Sequence, residues 1–372
     1  MLIGVPKEIK VHEYRVGMAP YAVSEAKAHG HTVIVETGAG QGIGAPDSEY
    51  ESAGATIAPN ADVVFAKADM IVKVKEPQPE ECKRLRPGQV LFTYLHLAPD
   101  PEQTTALIKS RAICIAYETV TSASGGLPLL APMSEVAGRM SIQAGAHCLE
   151  KEQGGSGVLL GGVPGVEPAK VVILGAGVVG ANATQMAIGL GAEVIVIDRS
   201  IDVLRSLAQR VGNRVRTTYS TRHALDRHIA TADLVVGGVL IPGAAAPKLV
   251  TAAMIKRMRP GSAFVDVAID QGGCSETSRP TTHANPTYVE HGVVHYCVTN
   301  MPGAVPRTST FALNNVTLPY VMALADKGYR RALNEDPHLR NGLNIHDGKV
   351  TYQAVAEALG HRFTDPAGLL AA

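Results

Sequence analysis

The chain has 372 residues, 46% of them hydrophobic, with 34 Lys and Arg balanced by 34 Asp and Glu. That length suits two domains, and a net charge of zero gives no field to gather nucleic acid or a membrane surface, so a small molecule is the expected partner. Five cysteines without a Cys-x-x-Cys pair, a start (MLIGVPKEIK) that turns polar at once, and no apolar run of about 18 residues predict a cytoplasmic protein without disulfide framework, metal or membrane span.

In chain order, LIGVP reads as a strand, AVSEAKAHG as a helix closed by Gly30, and HTVIVET as a second strand. MIVKVKE, VLFTYLH and CIAYET follow, separated by helical segments such as PEECKRLRPG and PEQTTALIKSR. Strands alternating with helices predict a parallel sheet with crossover connections. Ser134 is placed to cap a long helix running to about Glu152. A second series then begins: KVVILG, EVIVID, ADLVVGG, SAFVDVA and VVHYCV. The tail from STFALNN onward is helical, with Pro319 expected to kink or interrupt it. The fold expected is α/β, with two doubly wound Rossmann-like domains. Residues 131–305 form a nucleotide domain inserted into a discontinuous substrate domain, 1–130 plus 306–372.

VVILGAGVVGANA carries the clearest motif. Gly175-x-Gly177-x-x-Gly180 follows a strand and opens a helix, the context the dinucleotide fingerprint requires. The first glycine permits the tight turn, the second lets a pyrophosphate approach the backbone, and the third lets helix and strand pack closely. The helix N-terminus adds free N–H groups and partial positive charge. The next strand ends in Asp198, about 20 residues on, where a carboxylate can hold a ribose. An acid there repels a 2′-phosphate, which favours NAD over NADP.

Four charged positions fit chemistry on a small carboxylated substrate. Arg15 lies in the loop after the first strand, while Lys75, His96 and Asp270 stand where apolar runs give way to Pro or Gly loops. In open α/β sheets ligands collect at the carboxyl ends of strands. A guanidinium can hold a carboxylate in two parallel hydrogen bonds, an ammonium can polarise a developing carbonyl, and a histidine can take and return a proton near neutrality. Each also has an ordinary explanation. Arg15 could be a solvated loop residue, Lys75 could pair with Glu76 or Glu80, His96 could be a hydrogen-bonded turn residue, and Asp270 before Gln-Gly-Gly could be a turn former.

These residues sit in longer stretches that resemble the NAD-dependent L-alanine dehydrogenases from end to end: IGVPKEIKVHEYRVGMAP, VKVKEP, LHLAP, PLLAPMSEVAGRM, GGVPGVEPAKVVILGAG, DVAIDQGG, SRPTTH and NMPGAVPRTST. The resemblance implies reversible oxidative deamination of L-alanine to pyruvate and ammonium with reduction of NAD. It implies that Arg15 and Lys75 bind substrate and that His96 and Asp270 are catalytic. Besides Gly175, Gly177, Gly180 and Asp198, it implies cofactor contacts at Ser134, Val178, Val179, Ser220, Val239 and Leu240. Further contacts are implied at Val267, Ala268, Ile269, Asp270, Arg279, Val298, Thr299, Asn300 and Met301. Position 203, often basic in that family, is Val203 here. A homo-oligomer, commonly a hexamer, is implied as well. The nucleotide-binding component of transhydrogenase shares RVGMAP-like and PGAVP-like segments but lacks the Lys75, His96 and Asp270 set. A non-catalytic scaffold, or a dehydrogenase for a longer amino acid, are the remaining alternatives.

Overall fold

The computed structural model describes residues 1–239 and 246–370. The chain divides into two compact units, Met1–Met133 with Val305–Ala372, and Ser134–Ala304.

The first unit begins with β1 (Leu2–Val5), β2 (Thr32–Glu36), β3 (Thr56–Ala58), β4 (Met70–Val72), β5 (Val90–Thr93) and β6 (Ile113–Ala116). These six pair in parallel in the order β3-β2-β1-β4-β5-β6. Every residue of β4, β5 and β6 is buried, as expected of a parallel sheet covered by helices on both faces, and this explains their unbroken apolar runs. The second unit supplies β7 (Lys170–Leu174), β8 (Glu193–Asp198), β9 (Val215–Tyr219), β10 (Leu234–Gly237), β11 (Ala263–Asp266), β12 (Thr287–Glu290) and β13 (Val293–Tyr296). They run in the order β12-β13-β11-β10-β7-β8-β9, with only β12 antiparallel. The chain then returns to the first sheet with β14 (Leu343–His346), antiparallel to β6, and β15 (Lys349–Val350).

Without these antiparallel additions, both sheets share one order, 3-2-1-4-5-6, the doubly wound arrangement whose order reverses between its first and fourth strands. The reversal falls between β1 and β4 in one sheet and between β7 and β10 in the other.

Several elements differ from the sequence expectation. The helix expected to start at Ser134 runs from Ala131 to Cys148. Pro132 in its first turn favours the earlier start, because a proline there loses no helical hydrogen bond. Ser134 therefore lies inside the helix rather than capping it. Pro319 does not interrupt the tail, which is one helix from Pro306 to Lys327. The β14–β15 hairpin was not foreseen; its turn is Asp347-Gly348, both at positive φ (47° and 81°), the residue pair that a two-residue hairpin favours.

The return of the chain fixes the loop after β1. Asn314, buried in the helix Pro306–Lys327, accepts from the Ala19 N–H at 2.6 Å and donates to the Gly17 carbonyl at 3.0 Å. Thr310 one turn earlier accepts from the Val16 N–H. Gly17 is required here, since a Cβ would overlap the Val72 carbonyl. Among the described residues no helix is long and apolar enough to cross a membrane.

Candidate functional site

Within the first unit the loops after four neighbouring parallel strands gather charged groups at one sheet edge. Arg15 follows β1, Lys75 follows β4, His96 follows β5 and Glu118 follows β6. Lys75 and His96 each lie three residues beyond their strand's last residue, Val72 and Thr93, so both belong to loops rather than to the strands the sequence suggested. Arg15 and Lys75 flank the point where strand order reverses, the place where open α/β sheets bind ligands.

Arg15 is not a solvated loop residue; it is 2% exposed. Its Nε and Nη2 donate to the two oxygens of Glu13 at 2.7 and 2.6 Å, and its Nη1 lies 3.0 Å from the Met133 sulfur. Burial works against the guanidinium charge, but the Glu13 carboxylate outweighs it and raises the pKa. The parallel fork foreseen for a substrate carboxylate is thus taken, along one edge, by Glu13. Burial lowers the pKa of Lys75, and the nearby charges of Arg15 and Lys10 lower it further, against Glu76 and Glu13. The expected Lys75–Glu76 pair exists at 3.9 Å, while Glu76 is shared with Lys10.

His96 sits in the left-handed region (φ 50°) with its side chain 45% exposed. Its backbone N–H donates to Glu118 at 2.6 Å, and Glu118 also accepts from the Leu95 N–H. Its ring stacks on Tyr94, with centroids 5.8 Å apart. Tyr94 is anchored from its hydroxyl to the Leu129 carbonyl at 2.5 Å, and burial pushes that hydroxyl's pKa up. His96 is therefore both a turn residue and a ring presented to solvent on a fixed backbone.

In the second unit the glycine loop joins β7 to the helix Val178–Gly189. Gly175 has φ 93°, which glycine adopts without strain. A Cβ on Gly180 would overlap the Gly175 carbonyl, whereas one on Gly177 would meet nothing within 4 Å. Gly177 is the helix N-cap, with no side-chain hydrogen bond to its first turn, and it borders a groove of about 480 Å³ whose walls include Val178, Asn182, Val203 and Arg210 together with the carboxylates Glu135 and Asp202. Open space above an N-terminus uncapped by any side chain suits a phosphate. Asp198 accepts from the Ala176 and Ser200 N–H groups, each at 2.7 Å, so it ties the loop to the end of β8. A carboxylate has about four acceptor positions, leaving room for ribose hydroxyls.

The remaining expected contacts follow the carboxyl ends of the same sheet. Ser220 lies after β9, Val239 after β10, Val267 to Asp270 after β11, and Val298 to Met301 after β13. Val178 and Val179 open the helix after the glycines. Asp270 is exposed on the turn Val267–Gln271. Arg279 lies off the row, its guanidinium 4.0 Å over the Tyr288 ring, and Leu240 lies outside the described residues. Among the described residues no group of three or more His, Cys, Asp or Glu side chains could hold a metal.

Supporting carboxylates were missed. Glu13 stands two residues before Arg15, and Glu118 follows β6 by the same strand-end rule that found His96. Asp266, fully buried at the end of β11, accepts from the Ala268 and Cys274 N–H groups and from the Ser278 hydroxyl. Burial raises its pKa against those hydrogen bonds. It thereby holds the turn that carries Asp270.

Known proteins resemble this chain over nearly its whole length. The family described as "Alanine dehydrogenase/PNT, N-terminal domain" matches residues 4–137, and its C-terminal domain matches residues 141–353. The alanine dehydrogenase of Halomonas elongata is 59% identical over 370 residues, covering 100% of both chains. A solved L-alanine dehydrogenase superposes with a TM-score of 0.94 at 52% identity, over 97% of this chain and 99% of that one. A transhydrogenase from Sinorhizobium meliloti gives 0.84 at 25% identity, over 94% and 100%. With these matches spanning nearly its whole length, and with a dinucleotide fingerprint in one unit and charged loops at the strand ends of the other, the chain belongs to the alanine dehydrogenase/PNT family.

Proposed function

We infer that the protein catalyses the reversible oxidative deamination of L-alanine to pyruvate and ammonium, coupled to reduction of NAD. The observation that carries this is Arg15, Lys75 and His96 on adjacent strand ends of a unit whose chain is interrupted by a dinucleotide-binding unit. Residues 1–130 and 306–372 then form the substrate domain, and 131–305 the NAD domain.

Glycines 175, 177 and 180 and the helix they open would hold the pyrophosphate, and Asp198 the adenosine ribose. That carboxylate, fixed by two backbone N–H groups, disfavours a 2′-phosphate, so NAD is the proposed cofactor. Bound there, NAD supplies the hydride acceptor. Arg15 holds the substrate carboxylate by charge, oriented through Glu13. Lys75, as an ammonium, binds the substrate and stabilises negative charge on the developing carbonyl oxygen. His96 takes and returns the protons that accompany C–N cleavage, and Asp270 positions the water or the amine. Loss of a hydride from Cα would leave an iminium; water adds to its carbon and gives a proton to His96, His96 returns that proton to the nitrogen, and the C–N bond breaks as the carbonyl forms and ammonium leaves.

The same roles run in reverse. Pyruvate with ammonium should oxidise NADH, following absorbance, and L-alanine should accumulate. NADH binding without ammonium-dependent oxidation would favour the transhydrogenase-like alternative. A cytoplasmic homo-oligomer, a hexamer by family resemblance, completes the proposal.

A further inference from the structure

Beneath Lys75 lies a buried group of charges that the mechanism above does not use. Lys73 is fully buried, its ammonium 2.9 Å from Glu8 and 2.7 Å from Glu81. Both carboxylates are buried as well. Glu8 comes from the segment after β1, Lys73 from the segment after β4, and Glu81 from the helix Pro79–Arg84. Glu81 also closes a capping box with Gln78 at the start of that helix.

The backbone explains why a carboxylate is needed there. Beyond the end of β4, the side facing β5 stays paired: the Lys73 N–H donates to the Phe92 carbonyl and the Tyr94 N–H to the Val74 carbonyl. On the other side β1 has ended at Val5. The Val74 N–H instead donates to Glu8 Oε1 at 2.7 Å, and the Lys75 N–H reaches the same oxygen at 3.3 Å. One side-chain oxygen replaces the missing strand. A buried N–H without such a partner is destabilising, because it has lost its water and gained nothing in return.

We propose that Glu8 is a positioning residue for the reaction: one of its oxygens fixes the Val74–Lys75 backbone, and hence the reach of the Lys75 ammonium, while the other is held by the buried Lys73. The inference rests on the reading of Lys75 as a substrate-binding group. The charges around Lys75 include Glu76, Arg15, Lys10 and Glu13; those around Glu8 include Lys73, Glu81 and Glu13. Glu8 reaches Lys75 through the backbone, its Oε1 accepting from the Val74 and Lys75 N–H groups, and burial of Lys75 depends on that backbone staying in place.

Glu8→Gln keeps an acceptor oxygen and the side-chain size but sets an amide against the Lys73 ammonium. Two readouts are compared with the unaltered protein. The first is the pH dependence of Lys75 modification by an amine reagent, followed by mass spectrometry of its peptide. The second is the KM for L-alanine and for pyruvate beside the Kd for NAD.

A released Lys75 should titrate closer to an ordinary lysine. KM for both substrates should rise roughly tenfold to a hundredfold, in line with the cost of misplacing a binding group by about 1 Å, with the Kd for NAD unchanged. An unchanged modification profile in a folded variant overturns the proposal. A shifted profile with unchanged KM and kcat overturns the role of Lys75 in the reaction and leaves its placement by Glu8 standing. If Glu8→Gln does not fold, Glu8→Asp keeps the charge but draws the oxygen back from the two N–H groups. Its profile and KM then decide by the same criteria, wild-type values in both overturning the proposal.

Discussion

Arg15 is buried because Glu13 is buried with it. Removing one partner of such a pair leaves a charge stranded in low dielectric, at a cost of about 3–5 kcal/mol; the pair is therefore a fixed support. Lys75 is held differently: burial lowers its pKa, with Arg15 and Lys10 acting in the same direction and Glu76 and Glu13 against it. The consequence can be measured. A lysine that must be an ammonium to bind pyruvate loses affinity as pH rises through its lowered pKa, so KM for pyruvate should climb before the ordinary lysine value of about 10.4. In that window the unfolded chain binds more protons at this group than the folded one, so this group's contribution to stability rises with pH, and the loss of binding is not unfolding. Lys75→Arg should flatten the climb, because a guanidinium does not titrate there; an identical climb in that variant would assign it to another group. His96→Ala should lower kcat by about 10²–10⁴, the usual contribution of a general acid–base, with the Kd for NAD unchanged in a fluorescence titration. Equal losses in both would contradict the shuttle role.

At the scale of elements, the three glycines of the loop have separable duties. Gly177→Ala, with nothing within 4 Å of its Cβ and an ordinary φ of −66°, should fold with an unchanged Tm yet bind NAD more weakly, by about tenfold or more, because the methyl group occupies the pyrophosphate's approach. Gly180→Ala should lower Tm itself, since its Cβ overlaps the Gly175 carbonyl. Similar Tm losses in both would mean that Gly177 serves packing alone. The strand, glycine turn and helix were legible in the sequence because all three are local. Elements fixed by distant partners were less legible. Nothing local in MIVKVKE shows that Lys73 lies in the core with two carboxylates, since Glu8 is 65 residues away. Ser134 looked like a cap because Ser before Glu is a local signal, but Pro132 had already set the helix start. Pro319 reads as a breaker, yet the helix Pro306–Lys327 runs through it, with Val321, Met322 and Leu324 buried beyond the proline.

Across the whole molecule, two sheets of the same strand order are built from one chain that leaves the first unit, completes the second and returns. The repetition explains why strand ends were such productive places to look. In each unit the candidate residues follow the carboxyl ends of parallel strands, and in each some of them flank the reversal of strand order. The return of the chain was visible in the helical tail. Its purpose was not, because the bonds from Thr310 and Asn314 to the Arg15 loop span 294 and 295 residues. Glu118 could have been found by the strand-end rule, but Glu13 and Glu8 could not, since an acid that supports a buried cation looks in sequence like any surface acid. The account as a whole is tested most directly by a panel of L-alanine, glycine, L-serine, L-lysine and D-alanine, each with NAD and with NADP, following nicotinamide reduction and identifying the keto acid formed. The account predicts rapid reduction of NAD with L-alanine, pyruvate formed in equal amount, and little activity with NADP or D-alanine. Reduction with another amino acid but not with L-alanine, or NAD binding without turnover on any of them, would contradict it.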